Sequence, residues 1–399
     1  MSKMKKTQLI TLLLFTILGC TGQTEKERTT ISDDFDKSPP IYYGMPEHIE
    51  SIDTSSGWNQ NGQKILLTGT VYENDGRTPA SNILIYYYQT DINGKYQHKE
   101  NEKNSLPPNK LGQTHGYIRG WVKTDRIGKY SIYTVRPGTY PSRDEPAHVH
   151  FHIKEPDLKD QYYIDDLVFD DDILLTTERR KKMENRGGSG VLRLVQKGDL
   201  QIGERNIVLG LNIPDYQKGE SIESLSGKNI GEDIISFTPF HGWGPDKGTK
   251  TCPICKYGWY HGILFFVGNN PNWDEIKQWL SFLEEESIIR EKYLKIYFVY
   301  GNENGFDKQT RIGELESLGK ELNLEKVALT FVPSFSDKKS EIHLNNINPK
   351  VENTFILYKR SNVIDKFINL EPSPDNFKII SNRLDETVNE YFDLPRSKK

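Results

Sequence analysis

The sequence predicts two domains, an all-β antiparallel sandwich followed by an α/β unit. Three observations lead there. Short runs rich in Tyr, Val and Ile, separated by turn signals, fill residues 64 to about 155, the spacing of an antiparallel sandwich. Beyond about residue 235 the rhythm changes to apolar strands alternating with amphipathic helices. At 399 residues the chain is long enough for two such units, each with its own core.

The chain opens on "MSKMKKTQLITLLLFTILGC", lysines followed by an apolar run too short to span a bilayer comfortably and then Gly19-Cys20. The ending Ile-Leu-Gly-Cys resembles a bacterial lipobox. That resemblance implies that residues 1–20 are a signal peptide, that Cys20 is lipidated, and that the protein is lipid-anchored in the bacterial cell envelope, outside the cytoplasm, with inner and outer membrane both open. The bland alternative is a plain signal peptide or a buried apolar segment. Residues 21–46 are polar, charged and Pro-containing, without apolar periodicity, and read as a flexible tether.

The sandwich is expected over 47–217. Its strands are "KILLTGTVYE", "SNILIYYYQT", "YIRGWVKTD", "GKYSIYTV" and "AHVHFHIKE", with "NDGRTP" and "INGK" as turns. A polar helical stretch, "TTERRKKMENR", follows, and "RNIVLGLNIPDY" closes the domain near Tyr216. Residues 218–234 read as linker. The second domain is expected over 235–396. "GILFFVG", "LKIYFVYG" and "VALTFVP" are buried strands, and "NWDEIKQWLSFLEEES" places Trp273, Ile276, Trp279, Leu280 and Leu283 at helical spacing. A hairpin, "NTFILYKRSNVIDKFI", and a last helix, "NFKIISNRLDETVNEYF", complete an order that resembles a thioredoxin-like fold. The 52 basic residues are balanced by 56 acidic ones, a formal charge of −4, which gives no basic footprint for nucleic acid. Oligomeric state is not legible.

The stretch "RPGTYPSRDEPAHVHFHI" carries the chemistry. His148, His150 and His152 alternate along a strand and project from one face. A lone strand histidine is more often packed or solvated, whereas a pair at i and i+2 can converge on one ion. Spacing leaves His148/His150 and His150/His152 open, and excludes 148 with 152.

"LLTGTVYENDGRTPASNILIYYYQTDINGKY", "YIRGWVKTDRIGKYSIYTVRPGTYP" and "PAHVHF" resemble, in order, the signatures of the intradiol ring-cleavage dioxygenases, over roughly residues 64–216. The resemblance implies one non-haem Fe(III) per chain, held by Tyr96, Tyr140, His148 and His150, with His152 a neighbour. It also implies cleavage of a catechol-type diol with O2 to a cis,cis-muconate-type diacid, with Tyr140 leaving the iron to act as internal base. Phenolate is a hard anionic donor suited to ferric iron, and the metal's charge lets a tyrosine of ordinary pKa about 10 ionise at neutral pH. The sequence departs from the family pattern just before Pro-Ala-His. Glu145 stands where catechol-cleaving relatives commonly carry an arginine, so Arg143 or Arg119 is expected to supply the catalytic cation, or the substrate differs.

Cys252 and Cys255 form a Cys-x-x-Cys that precedes "GILFFVG" instead of following it. Three readings compete: a structural disulfide, a redox dithiol, or a metal site completed by His241 and His261. The functional alternatives to a dioxygenase are therefore a non-catalytic β-sandwich binding module and a thiol-disulfide oxidoreductase acting through the C-terminal domain.

Overall fold

A computed structural model describes residues 29–218 and 224–388. The expected signal peptide with Cys20, the start of the tether, and parts of the linker and C-terminus lie outside the described residues. Among the described residues no helix is long and apolar enough to cross a membrane.

The first unit runs β1 (Ile52–Thr54), β2 (Lys64–Tyr72), β3 (Leu84–Gln89), β4 (Arg119–Lys123), β5 (Lys129–Val135), β6 (His148–Lys154), β7 (Tyr162–Tyr163) and β8 (Leu167–Phe169). Helix α1 (Thr177–Lys182), β9 (Val191–Leu192), β10 (Val195–Lys197), β11 (Leu200–Glu204) and β12 (Ile207–Val208) follow. One sheet has the order β1-β5-β2-β11-β10 with β12 beside β2, the other β4-β3-β6-β8-β9 with β7 beside β6. The expected antiparallel pairing holds for β2 with β5 and for β3 with β4 and β6. It fails for β1 with β5, for β2 with β11 and β12, and for β8 with β9, which pair in parallel. Alternation of apolar residues reports which face is buried and carries no information on strand direction. The whole of β3 to β10 separates β2 from β11, ample for the crossover a parallel pair needs.

That alternation places the site. Val149, Phe151 and Ile153 of β6 enter the inter-sheet core with Ile85, Tyr87, Val122, Ile65, Leu67 and Ile132. His148, His150 and His152 therefore lie on the outer face of the second sheet. Tyr88 pairs in register with His150 and Tyr86 with His152, and Tyr88 also pairs with Arg119 on β4. This outer face is covered by a segment expected to be tether. Ile41 packs with Leu84, Tyr86 and Trp121, the Trp121 Nε1–H donates to the Ile41 carbonyl at 2.6 Å, and Arg119 Nη2 donates to the Tyr43 carbonyl at 2.6 Å. The polar composition of residues 21–46 hid three anchors, Phe35, Ile41 and Met45, too irregularly spaced to register as periodicity.

The second unit contains β13 (Phe240–Trp243), α2 (Pro253–Tyr257), β14 (His261–Val267), α3 (Trp273–Arg290), β15 (Leu294–Tyr300), α4 (Lys308–Glu321), β16 (Ala328–Phe331), β17 (Thr354–Lys359), β18 (Asn362–Ile368) and α5 (Pro374–Glu386). Its sheet order is β13-β16-β15-β14-β17-β18. β14, β15 and β16 are parallel, while β17 returns antiparallel to β14 and pairs with β18 as a hairpin. Asn272, Asp307 and Ser373 cap the three long helices with side-chain oxygens. Those helices bury Trp279, Leu315 and Ile380 against one face of the sheet. The other face packs against Ile234, Phe237, Cys252, Ile254 and Ile342.

The described part of the expected linker is not free chain. Gly231 N donates to Val363 O at 2.8 Å, and Ser189 N donates to Gly231 O at 2.7 Å, so this segment is stitched to both units. Ion pairs cross beside it: Lys359 with Glu204 at 2.8 Å and Lys181 with Glu341 at 2.5 Å.

Candidate metal centre

Tyr96 and Tyr140 come from loops locked together by backbone contacts. After β3 the chain turns at Asp91, whose carboxylate accepts the N–H groups of Asn93 and Lys95 at 2.8 and 3.1 Å. Gly138 N donates to Asp91 O at 2.9 Å, and Thr90 Oγ1 donates to Gly138 O at 2.8 Å. Gly94 sits in the left-handed region at φ +74°, and a Cβ built there would stand 1.7 Å from the Thr139 carbonyl oxygen. The turn carrying Tyr96 is thus pressed against the residue before Tyr140.

The four side chains converge. Tyr96 Oη lies 3.1 Å from Tyr140 Oη, Tyr140 Oη 3.1 Å from His148 Nε2, His148 Nε2 3.1 Å from His150 Nε2, and His150 Nε2 2.9 Å from Tyr96 Oη. Neighbouring donors at right angles around an ion with bonds of about 2.1 Å would stand about 3.0 Å apart, which matches these edges.

The outer nitrogens decide the tautomers. His148 Nδ1 is 2.7 Å from the Pro146 carbonyl oxygen, which can only accept, so Nδ1 carries the proton. His150 Nδ1 faces the Asp166 carboxylate at 2.7 Å and the Tyr163 hydroxyl at 2.9 Å, and Tyr163 itself donates to Asp166. With the Nδ1 atoms turned to these outer partners, the two Nε2 atoms face each other across 3.1 Å, each also beside a phenol oxygen. Two acceptors at that distance repel unless a cation or proton lies between them, and a carbonyl or carboxylate behind each ring is the arrangement that orients metal-bound histidines. The donor set fits a transition-metal cation such as iron: two phenol oxygens, which are hard donors, and two imidazole nitrogens.

Electrostatics agree. Burial pushes the Tyr96 phenol well above its ordinary value, and the adjacent Tyr140 pushes it further. Burial also raises Tyr140. Burial lowers His148, with His150 adding to the effect, which keeps the imidazole in its neutral, ligating form. Asp166 is pushed up by burial, but the attraction of His150 outweighs this and holds it below the usual carboxylate range. Without a cation the phenols stay protonated; a metal's charge is what would ionise them.

Behind the donors is an aromatic stack. Tyr88 lies face to face with His115 at a ring separation of 3.6 Å and with His150 at 4.4 Å. His115 Nδ1 bonds Tyr86 Oη at 2.7 Å. His152 packs against the rings of Tyr86 and Tyr163, away from the four-donor cluster. Asp166, Tyr163, Tyr88 and His115 escaped the sequence reading; the Tyr-Tyr-Ile-Asp-Asp run ahead of an apolar triplet was the only local sign of the first two.

A cleft of about 350 Å³ opens beside His148, lined among others by Glu145, Tyr163, Asp166, Arg179 and Lys182. Arg143 and Arg119 do not line it. Arg143 is exposed in the loop between Tyr140 and His148, at φ +54°. Arg119 is buried on the same outer face beneath residues 40–43, where its Nη2 donates to the carbonyls of Tyr43 and Pro40. The cation on the cleft wall nearest this loop is Arg179, whose Nη2 donates to the Asp144 carbonyl.

Cys252 and Cys255 are joined as a disulfide. His241 Nε2 bonds the Thr251 carbonyl at 2.9 Å, and His261 Nε2 lies 3.1 Å from Thr387 Oγ1. Among the described residues, the His, Cys, Asp and Glu donors close enough to share an ion are His148, His150 and Asp166, so the structure does not assemble a Cys2His2 site.

Comparison with known proteins bears on the first unit. The family model described as Dioxygenase matches residues 38–186. Over 128 residues the chain is 30% identical to the protocatechuate 3,4-dioxygenase beta chain of Burkholderia cepacia, covering 30% of this chain and 52% of that protein. Over 132 residues it is 24% identical to catechol 1,2-dioxygenase of Acinetobacter baylyi, covering 29% of this chain and 39% of that one. The chain thus spans about half the length of the first relative and two fifths of the second. Among solved structures, the dioxygenase domain of a dioxygenase and carbohydrate-binding fusion from Streptomyces sp. SirexAA-E aligns with a TM-score of 0.29 at 20% identity, over 40% of this chain and 87% of that one. Residues 38–186 thus match the family model described as Dioxygenase and are similar to protocatechuate and catechol dioxygenases over part of the length of those proteins.

Proposed function

We propose that the first unit binds one ferric ion through Tyr96, Tyr140, His148 and His150 and cleaves a catechol-type diol with O2, between its hydroxyl-bearing carbons, to a cis,cis-muconate-type diacid. The observation that carries this reading is the pair of imidazole Nε2 atoms 3.1 Å apart, closed into a ring of possible donors by two phenol oxygens. The names of the two relatives support the reaction class. When bound, the ion supplies the positive charge that ionises phenol and diol and makes the diol reactive toward O2.

The chain's own residues supply binding, orientation and a place for a proton. The cleft beside His148 admits the diol. Tyr140 Oη, within 3.1 Å of both Tyr96 Oη and His148 Nε2, is placed to take a proton from the entering diol. His148 and His150 are held in the required tautomer by Pro146 O and Asp166. With Glu145 on the cleft wall, Arg179 and Lys182 are in position to offset charge developing on the ring during cleavage, while the third cation of the lining, Arg186, is paired with Asp165 and Glu184.

The second unit is read as thioredoxin-like, supported by the parallel β14-α3-β15 unit followed by the β17-β18 hairpin and α5. The lipid anchor at Cys20 and an extracytoplasmic location rest on the N-terminal sequence.

The test is a visible spectrum and iron assay on the soluble chain beginning after Cys20, alongside Tyr140→Phe, with oxygen uptake on a panel of catechols. One iron per chain, a broad phenolate-to-iron band altered in the variant, and muconate formation from a panel member are expected. Protein that stays colourless and takes up no added ferric ion would overturn the reading in favour of a non-catalytic binding module.

A further inference from the structure

The Cys252–Cys255 disulfide is separate from the four-donor cluster, and its two sulfurs are not equivalent. Cys252 is only 9% exposed, packed with Ile234, Phe237 and Ile254 in the core of the second unit. Cys255, three residues later, is exposed and lines a cleft of about 260 Å³ between the two units. One wall of that cleft is Arg180, Lys181 and Met183 of the α1 region; the other is Ile254, Cys255 and Trp259. The cations on the first wall are already paired, Arg180 with Asp170 and Lys181 with Glu341, so the cleft selects by size and by access to sulfur more than by charge.

The hydrogen bonding has a direction as well. The backbone N–H of Cys255 donates to Cys252 Sγ at 3.0 Å, and Cys252 caps the first turn of α2. A donor aimed at one sulfur of a disulfide stabilises negative charge on that sulfur and makes it the better leaving group. Exposure and leaving-group stabilisation therefore select the same polarity.

We propose that this disulfide is a thiol-exchange site in which Cys255 is the sulfur attacked, from the interdomain cleft, and Cys252 the sulfur that leaves. An incoming thiolate forms a new S–S bond to Cys255 as the Cys252–Cys255 bond breaks. The electron pair of that bond passes to Cys252 Sγ, held as thiolate by the Cys255 N–H. A second thiolate then attacks the incoming sulfur of the mixed disulfide and releases a disulfide of the two thiols. The protein gains two electrons and, on protonation, two hydrogens. The cleft admits a small thiol or the cysteine side chain of an extended peptide.

The experiment uses the full soluble chain in native buffer. The disulfide is challenged with reduced glutathione and, separately, with an unstructured peptide carrying one cysteine; opening by glutathione alone assigns a small-thiol site, and opening by both a site that also admits peptide. Adducts are then mapped by mass spectrometry on Cys252→Ser and Cys255→Ser after exposure to oxidised glutathione. Cys255 in the first variant should form the adduct at least roughly tenfold faster than Cys252 in the second, because Cys255 is exposed to the cleft while burial of Cys252 outweighs the N–H that favours its thiolate. To keep the test independent of whether the variants fold, wild-type protein reduced with dithiothreitol in native buffer is pulsed with iodoacetamide, and Cys255 should label first. Equal labelling of the two sulfurs, or a disulfide that opens only in denaturant, would overturn the proposal and leave the pair a structural clip.

Discussion

Asp166 stands 2.7 Å from Nδ1 of His150, on the side of the ring turned away from Tyr96. The carboxylate fixes which nitrogen keeps its proton and so leaves the other free to ligate. Removing such an orienting carboxylate typically weakens metal binding by about 10- to 100-fold. Asp166→Ala should show that loss in a chelator competition, with Asp166→Asn intermediate because its amide oxygen still accepts. An Ala variant that retains iron like wild type would show that Tyr163 alone orients the ring.

Gly94 makes a different kind of contribution. Its φ of +74° and the 1.7 Å approach of a built Cβ to the Thr139 oxygen leave no room for a side chain. Gly94→Ala should cost more than about 1 kcal/mol and push the Tyr140 segment outward. The expected result is a folded protein, by far-ultraviolet circular dichroism, whose phenolate-to-iron band is weakened or shifted. An unchanged band would mean that the two loops are not coupled.

The site was legible where its logic is local. Strand alternation put three histidines on one face, while Tyr96 and Tyr140 were reached only through the resemblance to the dioxygenase signatures. What could not be read is what depends on pairing across distance. Tyr88 stacks on His150 because β3 and β6 are in register, a fact no single segment contains. Asp166 reaches His150 because β8 pairs with β6 just beyond it. The same limit explains the parallel pairs in the sandwich and the misplacement of Arg119. As a strand cation near the motif it had the credentials of a catalytic group, and only the docking of residues 40–43 over the sheet shows where its donors go.

Arg119 is thus expected to behave as a fastener. Its guanidinium lies over the Tyr86 and Trp121 rings at 5.2 and 4.8 Å while bonding the Tyr43 carbonyl. Arg119→Met keeps the packing volume and removes the donors, which for hydrogen bonds to a charged group costs roughly 1.5–3 kcal/mol. Limited proteolysis should then cut within residues 35–49 that resist it in wild type, while the iron band survives. Loss of turnover with that segment still protected would restore a catalytic role.

His261 gives the second unit a pH dependence of definite sign. Burial, followed by Lys359, Arg290 and Arg360, lowers it from 6.5 to about 3. The unfolded chain therefore binds a proton between those limits that the folded chain refuses, so this stability is complete above pH 6.5 and is lost as pH falls toward 3. Between pH 7 and pH 5 the loss amounts to roughly 2 kcal/mol. Urea unfolding at the two pH values should show it, and His261→Gln, which cannot titrate, should show a smaller difference. Identical pH slopes would assign the acid sensitivity elsewhere.

Glu204 on β11 and Lys359 on β17 belong to different units, and their ion pair at 2.8 Å is largely withdrawn from solvent, with Arg360 Nη1 3.5 Å from the same carboxylate oxygen. A buried pair contributes little beyond a well-packed apolar replacement, yet removing one partner strands the other charge and costs about 3–5 kcal/mol. Glu204→Gln should destabilise the protein by that order, and Glu204→Gln with Lys359→Met should recover part of the loss, which is the signature of coupling in a double-mutant cycle. The location adds a second readout. If the pair welds the units, the single variant should split one thermal transition into two, because the sandwich and the α/β unit would then melt separately. A single transition shifted down intact would mean that the segment around Gly231, bonded to both units, is the stronger joint.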